Sequence, residues 1–175
     1  LIMKKVPGAG EVYMVYDARD RLVMTQDANM RQQGKWMLTK YDLLNRPTEA
    51  GLLNNTTSFS THLSTAGGST SYLPAGTYEL LTLTHYDDYA GLPAGLSGYL
   101  STWNSYFDNT NNNDWPYPQL PQYSPAVKGL VTWTQAKVLG SSNTFISTVT
   151  YYDDKGRAIQ VQSTNLSGGT DIITT

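Results

Sequence analysis

With 175 residues and 39% hydrophobic content the chain can bury one real core, while charged residues, at 15% against roughly a quarter in ordinary globular domains, give way to Thr, Ser, Asn, Gly and Tyr, the texture of strands and turns. A formal net charge of −2 lacks the basic excess that neutralises phosphates, so nucleic acid is excluded as an expected partner and an anionic membrane surface is not favoured. The absence of Cys excludes disulfides and thiolate metal sites and leaves the redox compartment open, and no apolar run reaches the roughly 18 residues of a bilayer span.

The N-terminal stretch LIMKKVPGAG sets its short apolar run before the lysines, the reverse of signal-peptide order. Its Gly8 to Gly10 piece neither follows a parallel strand nor opens a helix, so it is no phosphate cradle. The chain starts at Leu1 and stops in DIITT, the tail of a strand, so a segment of a longer protein is expected, with any targeting signal outside it.

Four runs rich in aromatic and β-branched residues end in Tyr-Asp: EVYMVYD, KWMLTKYD, LLTLTHYD and ISTVTYYD. Three lead into related turns, YDARDRL (Tyr16 to Leu22), YDLLNRP (Tyr41 to Pro47) and YDDKGRA (Tyr152 to Ala158). The stretch YDDYAGL (Tyr86 to Leu92) reads as a degenerate copy of Tyr86 and Asp87, with glycine one place late and no arginine. After two of the turns the chain resumes as RLVMTQ and RAIQVQS, which predicts strand, turn, strand: a hairpin. The irregular spacing of the copies implies insertions within a repeat array.

Turn chemistry assigns each residue of the motif a place. Asp17 opens a type I turn because its carboxylate accepts backbone N–H groups within the turn. A three-residue hairpin loop then needs a left-handed residue, and that place holds Asp20, Asn45 or Gly156, the types that best tolerate positive φ. The register sets Asp17, Asp42 and Asp153 against Arg21, Arg46 and Arg157, and Tyr16, Tyr41 and Tyr152 against Leu22, Pro47 and Ala158. Arg19 has no assigned task. Replacing Gly156 by Val is expected to cost about 1 kcal/mol or more, since a β-branched residue resists positive φ; an unchanged melting temperature would contradict the turn.

Between the copies, residues 54–76 and 104–126 are crowded with Asn, Ser, Thr, Gly and Pro and read as extended surface loops. Residues 92–107 offer a short helix. Beyond Ala126, two strands surround a GSSN turn. Helix content is expected to be low.

With its Tyr-Asp, turn and Arg at Tyr16, Asp17, Arg21, at Tyr41, Asp42, Asn45, Arg46 and at Tyr152, Asp153, Gly156, Arg157, the chain resembles the YD-repeat, or Rhs, family over residues 11–53 and 127–175. The resemblance implies an all-β fold of antiparallel β-hairpins forming a twisted, curled sheet, part of a repeat shell. Residues 1–175 would form one β-rich segment with loop insertions at 54–76 and 88–126. It also implies a non-catalytic scaffold, the wall of a bacterial secreted or cell-surface protein that encloses a toxin domain or mediates adhesion. Its partners would be further repeats of the same parent chain, an encapsulated C-terminal toxin domain or surface glycans, with no cofactor. Asp20 and Asn45 depart from the family's glycine, and no shell-closing core segment is recognisable.

Other constellations are weaker. His62 and His85 are the only histidines, and no Gly-x-Ser-x-Gly elbow accompanies them, so hydrolase chemistry is not expected. Asp108 to Asp114, DNTNNND, alternates oxygen ligands as calcium loops do, but Asn113 and Gln119 stand where a glycine and an acid are required. The rings Trp103, Tyr106, Phe107, Trp115 and Tyr117 could stack on sugars, which gives the alternative function: a carbohydrate-binding module using the aromatic insertion 99–123. The competing reading is that they anchor a long loop whose ordering entropy must be offset.

Overall fold

The computed structural model describes residues 1–107 and 120–175. Within them the protein is all-β, mostly antiparallel sheet in ten strands, with two short α-helices and one 3-10 helix. The chain divides into two compact units, Leu1–Leu83 and Thr84–Thr175.

The first unit is a meander of β1 (Met3–Val6), β2 (Gly10–Tyr16), β3 (Leu22–Gln26), β4 (Lys35–Tyr41), β5 (Pro47–Asn54) and β6 (Thr77–Tyr86) as far as Leu83. Strand alternation places Val15, Met24, Trp36, Leu38 and Leu53 in one buried cluster. Gly51, at the irregularity where β5 meets β6, is required by space, because a Cβ there would lie 2.3 Å from the Glu79 carbonyl oxygen. Between β3 and β4 a short helix, α1 (Ala28–Gln32), is capped by Asp27, whose Oδ1 accepts the Met30 N–H at 2.7 Å.

The stretch expected as an extended loop at 54–76 instead contains a helix, α2 (Phe59–Gly67). Its Ser- and Thr-rich sequence has little intrinsic helix propensity. Burial drives it: Phe59, His62 and Ala66, at i, i+3 and i+7, form one face turned to the sheet. Phe59 stacks on Tyr13 at 4.3 Å, His62 meets Trp36 edge-on at 4.9 Å, and Ser58 caps the start by accepting the Thr61 N–H.

The second unit takes the end of β6 from Thr84 and adds β7 (Val131–Lys137), β8 (Phe145–Tyr152), β9 (Ala158–Thr164) and β10 (Thr170–Thr174), again in chain order. The strands around GSSN form the β7–β8 hairpin, with Val138 N–H bonded to the Thr144 carbonyl at 2.8 Å. The helical turn within 92–107 is the 3-10 helix Ser101–Phe107. Ser147, Val149 and Tyr151 alternate inward on β8, whereas β9 buries Ile159, Gln160 and Gln162.

Candidate functional site

The Tyr-Asp loops share one construction. Asp20, Asn45 and Gly156 have φ of +56°, +64° and +74°. Their N–H groups donate to the carbonyls of Asp17, Asp42 and Asp153, and each of these aspartates donates its own N–H to the carbonyl of the closing arginine at 2.9–3.0 Å. One carboxylate oxygen accepts two loop N–H groups: Asp17 Oδ1 from Arg19 and Arg21, Asp42 Oδ1 from Leu44 and Arg46, Asp153 Oδ1 from Lys155 and Arg157. The other receives the arginine Nε at 2.8, 2.7 and 2.6 Å respectively. Every aspartate is thus consumed inside its own loop.

The tyrosines lie opposite Leu22, Pro47 and Ala158, and just before each of them the register slips by one residue, leaving Val23, Thr48 and Ile159 as bulged residues. The phenol of one hairpin reaches back to the hairpin before it. Tyr41 O–H donates to the Leu22 carbonyl at 2.9 Å, and Tyr152 O–H to that of Val131 at 2.7 Å. Arg19 also has a task, donating through Nη1 to Asn45 Oδ1 at 3.2 Å, beside Arg21 Nη1 at 3.1 Å.

The degenerate copy at Tyr86 closes elsewhere than its local sequence implied. Asp87, at φ +73°, donates its N–H to the Leu130 carbonyl at 3.2 Å and accepts the Gly129 N–H on Oδ1 at 2.7 Å. Gly129, at φ +86°, takes the left-handed place, and Leu130 stands where the other loops have arginine. The closing half is therefore Gly129-Leu130, and the insertion lies inside the loop. The β9–β10 loop is another relative: Asn165 Oδ1 accepts from Ser167 and Gly169, and Gly168 is left-handed at +83°. It carries neither Tyr-Asp nor Arg, so only its Asn-x-x-Gly spacing could have revealed it.

Burial pushes the carboxyls of Asp17, Asp42 and Asp153 up, but donation from the backbone and side chains of Arg21, Arg46 and Arg157 prevails and holds each below the usual range. A carboxylate whose folded pKa lies below its unfolded value contributes stability above about pH 4 and loses it as pH falls through the folded pKa. The melting temperature is expected to be level with respect to these groups above about pH 5 and to fall steeply below about pH 4. An acid limb equally steep in an Asp42→Asn/Asp153→Asn variant would refute this origin.

No group of three or more His, Asp or Glu that could hold a metal occurs among the described residues. His85 lies between a hydroxyl and a carboxylate, with Nδ1 3.2 Å from Thr132 Oγ1 and Nε2 3.6 Å from Asp88 Oδ1. Thr132 is fully buried, its hydroxyl donates to the His85 carbonyl, and the imidazole stacks on Trp133 at 4.7 Å. This is strand packing, not an accessible nucleophile.

His62 is buried and its imidazole is held low by desolvation. Asn55 donates Nδ2–H to the Ala75 carbonyl, so its Oδ1 is the acceptor facing His62 Nε2 at 3.2 Å. Nε2 therefore carries the proton, and Nδ1 accepts the Tyr72 O–H at 2.7 Å. Both ring nitrogens serve to hold α2 and the chain after it.

Of the residues considered for sugar binding, Trp115 and Tyr117 lie outside the described residues, as does Asp108 to Asp114. Trp103 is half-buried and Tyr106 is 73% exposed. The described insertion is anchored by other residues. Tyr89, Tyr99, Tyr123 and Tyr151 form a ring cluster, with Tyr89 and Tyr151 stacked at 4.8 Å and Tyr99 and Tyr123 at 5.2 Å. Burial pushes the Tyr151 phenol up to about 12. Beside them Gln160 and Gln162 bind the backbone of Ser97, Gly98 and Leu100 as an adjacent strand would.

No protein-family model, curated protein or solved structure matches the chain. Its own geometry defines an antiparallel all-β protein of bulged hairpins with Asp-closed loops. No helix among the described residues is long and apolar enough to cross a membrane.

Proposed function

We propose that the chain is a non-catalytic scaffold segment of YD/Rhs-repeat type, part of the β-hairpin wall of a larger bacterial secreted or cell-surface protein. In that protein the wall encloses a toxin domain or mediates adhesion, and its immediate partners are further repeats of the same chain. The observation that carries this reading is the link between hairpins: the phenols of Tyr41 and Tyr152 are bonded to the carbonyls of Leu22 and Val131, which belong to preceding hairpins. Such a device serves an array, and it spends the motif's polar groups on building.

Electron microscopy of the full-length gene product tests the proposal. Tyr-Asp hairpins continuing on either side as one wall are the expected result; an isolated lectin-like domain at the end of a flexible linker would overturn it. Titration against a glycan panel is the complementary test. Binding abolished by Trp103→Ala or Trp115→Ala would favour the carbohydrate-binding module over the scaffold.

A further inference from the structure

Within the first unit the tips of the first two hairpins and the segment following α2 enclose a cleft of about 360 Å³, within the range of small-molecule sites. Most of its charges are already committed. Arg21 donates to Asp17 Oδ2, to Asn45 Oδ1 and to the Thr70 carbonyl, and lies 4.9 Å from the centre of the Tyr41 ring. Lys40 pairs with Glu49 at 2.7 Å and Asp42 with Arg46 at 2.7 Å. The phenols of Tyr41 and Tyr72 donate to the Leu22 carbonyl and to His62 Nδ1. One cation remains: Arg19, exposed at the rim, bonds only Asn45 Oδ1 through its side chain and has no carboxylate partner among the described residues.

Thr39, Thr70 and Ser71 add three hydroxyls to the lining, and what is left is apolar. Val23 and the Tyr41 ring contribute to the wall, and Leu43 and Leu73, 90% and 58% exposed, present side chains that a soluble surface gains little by displaying. We propose that this cleft binds a small organic carboxylate with an apolar ring body, the carboxylate on Arg19 and the ring against Leu43 and Leu73. A guanidinium fork matches a planar carboxylate in shape and charge. A phosphate dianion would need more positive charge than the one uncommitted cation supplies, and a sugar would set its hydroxyls against the apolar side chains of Leu43 and Leu73.

Titration of the whole chain with phenylacetate, followed by amide and side-chain NMR shifts, tests this site independently of the scaffold reading. Phenylacetate is expected to bind at about millimolar strength, as a ligand of this size does, and to shift Arg19, Leu43 and Leu73. Phenylacetamide, equal in shape and uncharged, should bind about tenfold more weakly, and Arg19→Gln should lose about tenfold for phenylacetate. Leu43→Ser, at an exposed position, should weaken phenylacetate severalfold. No shift at these residues at about 50 mM phenylacetate, an affinity unchanged in Arg19→Gln, or tighter binding of glucuronate or inorganic phosphate would overturn the proposal.

Discussion

Asp17→Ala is expected to destabilise the first unit by about 3 kcal/mol or more, the usual cost of breaking a buried ion pair from one side. The Asp17 side chain is fully buried and that of Arg21 only 11% exposed, at 2.6 Å from each other. Alanine would leave the N–H groups of Arg19 and Arg21 without their acceptor and the guanidinium with only the Thr70 carbonyl and Asn45 Oδ1. Asp42→Ala removes the same bonds where both partners are 23% exposed, so water can replace them and the loss should be about 1 kcal/mol. Asp17→Asn should fall between wild type and alanine, since an amide oxygen can still accept the loop N–H groups. Urea denaturation of the four proteins checks the order. Equal losses for Asp17→Ala and Asp42→Ala would show that the turn alone, and not burial of the pair, sets the cost.

The Tyr-Asp hairpins were legible because their determinants are local. Asp17, Asp42 and Asp153 open their loops, a left-handed residue follows at a fixed distance, and loop length then sets Tyr16, Tyr41 and Tyr152 against Leu22, Pro47 and Ala158. What escaped the sequence depends on distant partners. Asp87 is closed by Leu130 from across an insertion, and α2 is helical because Phe59, His62 and Ala66 find a sheet to cover. The bulge at Tyr151 and Tyr152 hides a further feature. Simple alternation along AIQVQST would place Ile159 and Val161 on one face, but the slip leaves Ile159 buried and also buries Gln160 and Gln162. A pattern of polar residues that would ordinarily mark a solvated face instead marks the seat of the insertion. For the candidate cleft, Arg19 was visible only as the one residue of its motif without a place; that it is also the one cation of the cleft left without a carboxylate among the described residues required the partners of Arg21, Lys40 and Asp42 to be known.

Gln162→Leu should release that insertion. Gln162 is fully buried; its Oε1 accepts the Ser97 N–H and hydroxyl at 3.0 and 3.1 Å, and its Nε2 donates to the Gly98 carbonyl at 3.1 Å and to Gln160 Oε1 at 3.0 Å. Leucine fills nearly the same volume, so packing is kept while a backbone donor and a backbone acceptor lose their partners in a dry place. The expected cost is about 3 kcal/mol, the sum of two or three unsatisfied groups. Because Gln160 holds Leu100 by its N–H and carbonyl and also depends on Gln162, the loss should spread along the segment from Ser97 to Leu100. Hydrogen exchange checks this directly: the amides of Ser97 and Leu100 should lose protection while those of the β8–β9 hairpin keep theirs. If both amides stay protected in the leucine variant, the tyrosine cluster holds the insertion without the glutamines, and the seat has been wrongly assigned. If β8 and β9 lose protection together with them, the insertion is part of the unit's cooperative core and not a loop laid upon it.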